Sequence, residues 1–186
     1  MRNRYLVLVA FFLCIGCDLG HVSSTGGGTT AAYNFRAVDS FAGSYGKGLF
    51  LQTVSSEEVY SDVASGTWYY EYVATADTPP TTVYRFYSTR TTIAFDGTSP
   101  LKIGAAVIIH GWFDSDVALT VAEKNGGFDF RAHNPSHTIS AALGEPVIAN
   151  PTTYWYITYC SKPDRSRFLT LTIDANTGAV TGKYSY

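Results

Sequence analysis

The sequence predicts an α+β fold of two tandem units, each a helix laid on an antiparallel sheet of about four strands. Three observations predict it. An alternating, Trp-bearing segment occurs twice, at Thr67–Val73 and Tyr154–Cys160, with Trp68 and Trp155 separated by 87 positions. Each copy runs through a polar loop into a second alternating segment, the pattern of a hairpin. Each is preceded by apolar residues at helical spacing. Two such sheets can join into one broad surface with the helices on one face. Chance likeness between β-rich segments is the competing reading; the shared register of apolar positions favours duplication.

The elements follow in order from the N-terminus. Arg2 and Arg4 precede an uninterrupted apolar run, Tyr5–Ile15. Eleven residues are too few for a permanent membrane helix, which needs about 20, so residues 1–16 read as an export signal. The run ends in Cys14-Ile15-Gly16-Cys17, which resembles the lipobox of bacterial lipoproteins. The resemblance implies an acylated Cys17 as the new N-terminus, with Gly16 at the small position; Cys14 stands where leucine is commonest. A plain secretory peptide cleaved nearby is the alternative. Residues 17–30 then form a tether, with Ser23–Thr30 all small and polar.

The first unit is expected over residues 31–97. Phe35, Val38, Phe41, Ala42 and Tyr45 have a helical period, ended by Gly46 and Gly48. Strands follow at Leu49–Val54, in the two arms of the hairpin around Pro79-Pro80, and at Thr92–Phe95. The second unit is expected over residues 98–186. Asp114-Ser115-Asp116 offers a helix start, and Val117, Ala118, Val121 and Ala122 recur at helical spacing. Asn125-Gly126-Gly127 stops or bends that helix; Phe128, Phe130 and Arg131 add a turn before Asn134-Pro135. Strands follow at Thr138–Leu143, in the hairpin around Lys162-Pro163-Asp164, and at Ala179–Tyr184. The offset of 87 carries Val83–Tyr87 onto Thr170–Asp174 without a gap. Asp174-Ala175-Asn176-Thr177-Gly178 reads as a tight turn; as a calcium loop it lacks the third oxygen ligand and the distal Glu.

The Trp155–Tyr159 strand, the Leu169–Ile173 strand and the Asp174–Val180 turn resemble the end of a PepSY domain, and Asp114–Gly127 resembles the helix before it. The likeness covers roughly Asp114–Tyr186 and fades in the first unit, where Phe95-Asp96-Gly97 replaces the turn. It implies an envelope binding module or a restraint on a protease. The tandem layout is also similar to that of the secreted β-lactamase inhibitor proteins, an analogy of architecture alone.

Strand alternation divides the side chains between two faces. Trp68, Tyr70, Tyr72, Tyr84 and Phe86 should pack under the helices, as should Trp155, Ile157, Tyr159, Leu169, Leu171 and Ile173. The opposite face carries the candidate binding residues Tyr69, Glu71, Arg85, Tyr87, Tyr156, Thr158, Thr170 and Thr172, with a Glu71–Arg85 cross-strand pair expected. Tyrosine supplies large contact area with few rotamers to freeze, which suits an interface. Plain strand propensity explains the same residues without a binding role. Cys160 belongs to this face yet is expected to be buried, the only cysteine left once Cys14 is cleaved and Cys17 acylated.

Other chemistry finds little purchase. The formal net charge is −2, and without residues 1–16 there are 11 basic against 15 acidic residues, a poor balance for phosphate contacts. Nucleic acid is not an expected partner, and no cofactor is implied. His133 and His137 are four apart, but Pro135 between them argues against a shared helical face or a metal site. His110, Asp114, Ser115 and Asp116 gather in a short span, where the last three serve as a helix start rather than as acid–base machinery. No enzymatic activity is expected. The reading is of a non-catalytic protein of the bacterial cell envelope, on either periplasmic membrane face or the cell surface. Its membrane contact is an N-terminal lipid, and its partner an envelope or exported protein, such as an enzyme under restraint. A small-ligand or glycan binder and a structural subunit of an envelope assembly are the alternatives.

Overall fold

Among the described residues, helices and strands form where apolar periodicity and turn residues ask for them. In chain order they are α1 (Phe35–Ala42), β1 (Leu49–Ser56), β2 (Trp68–Ala74), β3 (Thr82–Ser88), β4 (Ile93–Pro100), α2 (Ser115–Ala122), α3 (Phe128–His133), β5 (His137–Gly144), β6 (Tyr154–Ser161), β7 (Phe168–Asp174) and β8 (Val180–Ser185). The computed structural model describes residues 28–46, 48–59, 65–74, 82–100, 107–108, 111–144 and 152–186. The export segment, Cys17, most of the tether, Pro79-Pro80 and His110 lie outside the described residues.

The eight strands of the described residues belong to one antiparallel sheet, ordered β4-β3-β2-β1-β5-β6-β7-β8. The fold is therefore α+β, and the sheet dominates it. Each half is a meander, and the two meanders join where β1 pairs with β5 through Thr53↔Gly144, Val54↔Leu143, Ser55↔Ala142 and Ser56↔Ala141. Both outer strands carry a bulge, opposite Arg85/Phe86 in β4 and opposite Thr172/Ile173 in β8. Such irregular edges resist pairing with another chain.

The core lies between one face of the sheet and the helices. Trp68, Tyr70, Tyr72, Phe86, Trp155, Ile157, Tyr159, Leu169, Leu171 and Ile173 are buried there, as expected, and Tyr84 packs at the margin. The helices contribute Val38, Ala42, Ala118, Leu119 and Ala122. Each large side chain removed from water contributes about 1.5–3 kcal/mol, so these rows supply most of the drive to fold.

The two tryptophans do the same task in each half. The Trp68 indole N–H donates to the Thr29 carbonyl at 2.7 Å, and the Trp155 indole N–H to the Phe113 carbonyl at 2.9 Å. Both acceptors lie in the segment leading into a helix. The rings meet edge-on at 6.3 Å across the seam between the halves. Tyr72 and Tyr159, also 87 apart, each donate to a helix-layer carboxylate: Asp39 at 3.3 Å and Glu123 at 2.8 Å.

The α2 start matches expectation. Asp114 is the N-cap, and its carboxylate accepts the Ser115 N–H at 2.6 Å. The break also falls where expected, with Gly126 at φ +122, a backbone region that side chains disfavour. At Gly127 a Cβ would overlap the Tyr159 hydroxyl, so the absence of a side chain lets α3 settle onto β6.

Two expectations change. The gapless offset of 87 holds for β2 and β6 but not for the return strands. Tyr70 pairs with Phe86 while Ile157 pairs with Leu171, so β3 and β7 correspond at an offset of 85. A two-residue difference in the loop leaves every side chain on its face, because the strand period is two. Thr29 and Thr30, expected in the tether, belong to the folded body. Thr29 exchanges two backbone hydrogen bonds with Ser65 at 2.9 Å each, and the Thr30 hydroxyl donates to Asp114. Ala31 N–H donates to Ser115 Oγ at 3.0 Å and Ala32 N–H to Asp114 Oδ1 at 2.9 Å. The segment entering the first half is thereby fastened to the helix of the second.

Candidate binding face

Strand registers place one row of residues on the outer face across the whole sheet. It runs Ala94, Tyr87, Tyr69, Ser55, Ala142, Tyr156, Thr172, Gly182, one residue from each strand. The two residues at the seam are small, and tyrosines stand on both sides of them. The Tyr69 and Tyr87 rings lie 6.5 Å apart on one side, and the Tyr154 and Tyr156 rings 6.5 Å apart on the other. Alongside runs a second row, Gly97, Arg85, Glu71, Thr53, Gly144, Tyr154, Asp174. The result is a shallow trough along the β1–β5 seam, floored by short side chains and walled by aromatic ones.

Electrostatics on this face differ from the expected pair. Glu71 and Arg85 are direct cross-strand neighbours. Yet Arg85 turns to Asp96, with Nε 3.4 Å from Oδ2, and lays its guanidinium 4.0 Å from the centre of the Tyr69 ring. The β4 bulge supplies Asp96 as a nearer carboxylate than Glu71. Glu71 instead accepts the Thr53 hydroxyl at 3.0 Å. The charged residues in these outer-face registers are Glu71, Asp96 and Asp174 against Arg85. Burial pushes the Tyr156 phenol up to about 12, with Tyr154 adding to it, so Tyr156 is an uncharged hydrogen-bonding ring at any physiological pH.

Five of the eight candidate residues, Tyr69, Glu71, Arg85, Tyr87 and Tyr156, are half-buried and line or adjoin the trough. The other three are not available. Thr158 and Thr170 are 4% exposed and Thr172 9%. The Thr158 and Thr170 hydroxyls bond each other at 3.0 Å, and Thr172 packs against Gly182, which the Tyr184 ring also approaches. Short side chains sink between longer neighbours, so a polar residue on the outward register is not thereby a surface residue. A lysine at position 170 would bury a charge rather than probe a contact. Cys160 is buried on the same face, in register between Thr138 and Phe168.

Ser55, Ala142 and Gly144, which form the floor, carry no chemistry that marks them in a sequence. Their signal is relational: small residues on two strands that pair only at the seam. Tyr154 was visible as a strand tyrosine but not as a wall, and Phe50 and Tyr184 are exposed on the same face.

The remaining sequence candidates have structural partners. His133 lies on α3 with Nδ1 2.7 Å from the Asp129 carbonyl, and His137 opens β5 with Nδ1 2.9 Å from the Asn134 carbonyl. Asp174 Oδ1 accepts the Asn176 and Thr177 N–H groups at 2.9 Å each, which holds its carboxyl below the usual range. It closes a turn with Gly178 at φ +76. Among the described residues no group of His, Cys, Asp and Glu is arranged to hold a metal ion.

No protein-family model matches the chain, and no curated protein matches it. One solved structure does: a candidate lipoprotein from Clostridium difficile 630, determined at 1.85 Å. It aligns with a TM-score of 0.55 at 12% identity, over 87% of this chain and 97% of that one. At that identity the likeness is one of fold. Over that coverage it extends across both halves of the sheet rather than one of them.

Proposed function

We propose that this chain is a non-catalytic, lipid-anchored protein of the bacterial cell envelope that binds another protein through the outer face of its sheet. One observation carries the reading: a small-residue floor with tyrosine walls on both sides of the seam, facing away from the helices. Interfaces favour aromatic residues of this kind, and the bulged edges leave the face as the better docking surface. The lipid on Cys17 is supported by the Cys14–Cys17 motif and by the description of the structural neighbour as a candidate lipoprotein. Two PepSY-like units are supported by the Trp and Tyr anchors that recur at a spacing of 87. The acidic and serine side chains at 114–116 are occupied as a helix cap, which favours a binding role over catalysis.

The test is a cross-linked capture with the full chain, C-terminally tagged, from envelopes of the native organism. The Tyr156→Ala/Arg85→Glu double variant is the comparison. One protein retained by the wild type and lost with the variant is the expected result. Equal capture by both removes the sheet face from the account. The paired rings also support a second reading, glycan binding by stacking. Under that reading cell-wall fragments bind the wild type, Tyr156→Ala abolishes binding, and no protein is captured.

A further inference from the structure

The trough has a width and a charge that narrow the kind of partner it fits. Tyr69 and Tyr156 stand on β2 and β6, separated by β1 and β5, so their backbones are three interstrand steps, or about 14 Å, apart. A tight polypeptide hairpin, whose two legs run about 5 Å apart, fits between such walls with its side chains against both. The floor offers it close approach, since Ser55 and Ala142 project little.

The charge is acidic and incompletely matched. Among the described residues, Arg85 is the one cation in ion-pair range of this face, and it lies against Asp96 and the Tyr69 ring, its Nε making no hydrogen bond. Glu71, directly opposite Arg85, keeps a hydroxyl partner, Thr53, and no cation within ion-pair distance among the described residues. A half-buried carboxylate with a hydroxyl partner and no paired cation is a site for a positive charge, which it meets as an ion pair.

We infer that the trough receives a protruding protein loop carrying a lysine or arginine, which sets its charge against Glu71 while flanking residues pack on Tyr69 and Tyr156. The inference rests on the protein-binding reading and specifies the partner's chemistry. Its test uses a display library of disulfide-closed random loops selected against the full chain in detergent micelles. The expected outcome is enrichment of loops with Lys or Arg near the tip. Those loops should bind about tenfold more weakly to Glu71→Gln and to Tyr156→Ala, and equally well to Val117→Ala on the helix layer. Replacing the basic residue in an enriched loop by methionine should cost a similar factor. Neutral or acidic loops, insensitivity to Glu71→Gln, or no enrichment at all each overturn it. Loss of neutral loops on Tyr156→Ala alone would overturn the charge assignment while leaving the face as a protein-binding surface.

Discussion

The two halves of the molecule hold their helix layers by the same device with different chemistry. In the second half, the Glu123 carboxylate accepts the Tyr159 hydroxyl at 2.8 Å and sits in the fork of Arg131, whose Nη2 is 2.6 Å away. In the first half, Tyr72 reaches Asp39 at 3.3 Å, and aromatic contacts dominate the surroundings. There Phe41, Tyr45, Phe86 and Phe95 lie with ring centres 4.7 to 5.9 Å apart. One anchor is charge-assisted and directional; the other is a ring cluster that spreads its contribution over many contacts. The second half should therefore depend on single atoms, and the first should tolerate their loss.

The largest expected effect strikes both halves alike. Trp155→Ala or Trp68→Ala should each cost about 3–5 kcal/mol in urea unfolding, because each leaves a buried cavity and an unmatched carbonyl. The pair should cost less than the sum of the two, since the rings touch at the seam. Strict additivity, or two separate unfolding transitions, would mean that the halves are independent.

Next in size is the contrast itself. Glu123→Gln should destabilise by about 2–3 kcal/mol, while Asp39→Asn should cost less than about 1 kcal/mol, in thermal melts compared at one pH. Equal losses would break the comparison.

Alkaline titration sharpens it further. Burial pushes the Tyr70 phenol up to about 12, as it does Tyr156, and moves Tyr72 and Tyr159 upward as well, with Asp39 and Glu123 adding to the rise. Unfolding releases these phenols to ionise near pH 10, so the unfolded state holds fewer protons above that pH. Stability should be full below pH 10 and fall as pH rises toward 12, by about 1.4 kcal/mol per pH unit for each tyrosine. Tyr159→Phe should flatten the fall, as followed by far-UV melts from pH 9 to 12. An unchanged slope would show that Tyr159 ionises as readily folded as unfolded.

A small effect on stability is also expected on the outer face. Tyr156→Ala should cost about 1 kcal/mol, because its ring is only half-buried, yet it should remove the partner. A large loss of stability instead would make Tyr156 a core residue.

How legible these features were in the sequence depended on whether their signal was local. The α2 helix and its break were readable because Asp114 and Asn125-Gly126-Gly127 punctuate a short apolar period. The inner rows were readable because alternation has one solution once Trp68 and Trp155 are turned inward. The seam was not, since β1 and β5 pair across more than 80 positions and neither carries a mark for the other. Depth was not readable either: alternation assigned Thr158, Thr170 and Thr172 to the right face, while neighbouring side-chain length decides whether they meet solvent. The Glu71–Arg85 pair failed for a related reason. Cross-strand proximity named a neighbour, and a bulge two strands from Glu71 supplied Arg85 with a better one. Thr29 and Thr30 looked like linker because small polar residues are common there, and what holds them is a carboxylate 84 positions away in the case of Thr30.

The central claim is that the aromatic trough, not the helix layer, meets the partner. A photo-reactive benzophenone side chain placed at position 156, and in a separate protein at position 117, tests it most directly in living cells. The account predicts one specific protein adduct from position 156 and none from position 117. An adduct confined to position 117, or none at either while the chain is anchored and folded, would contradict it.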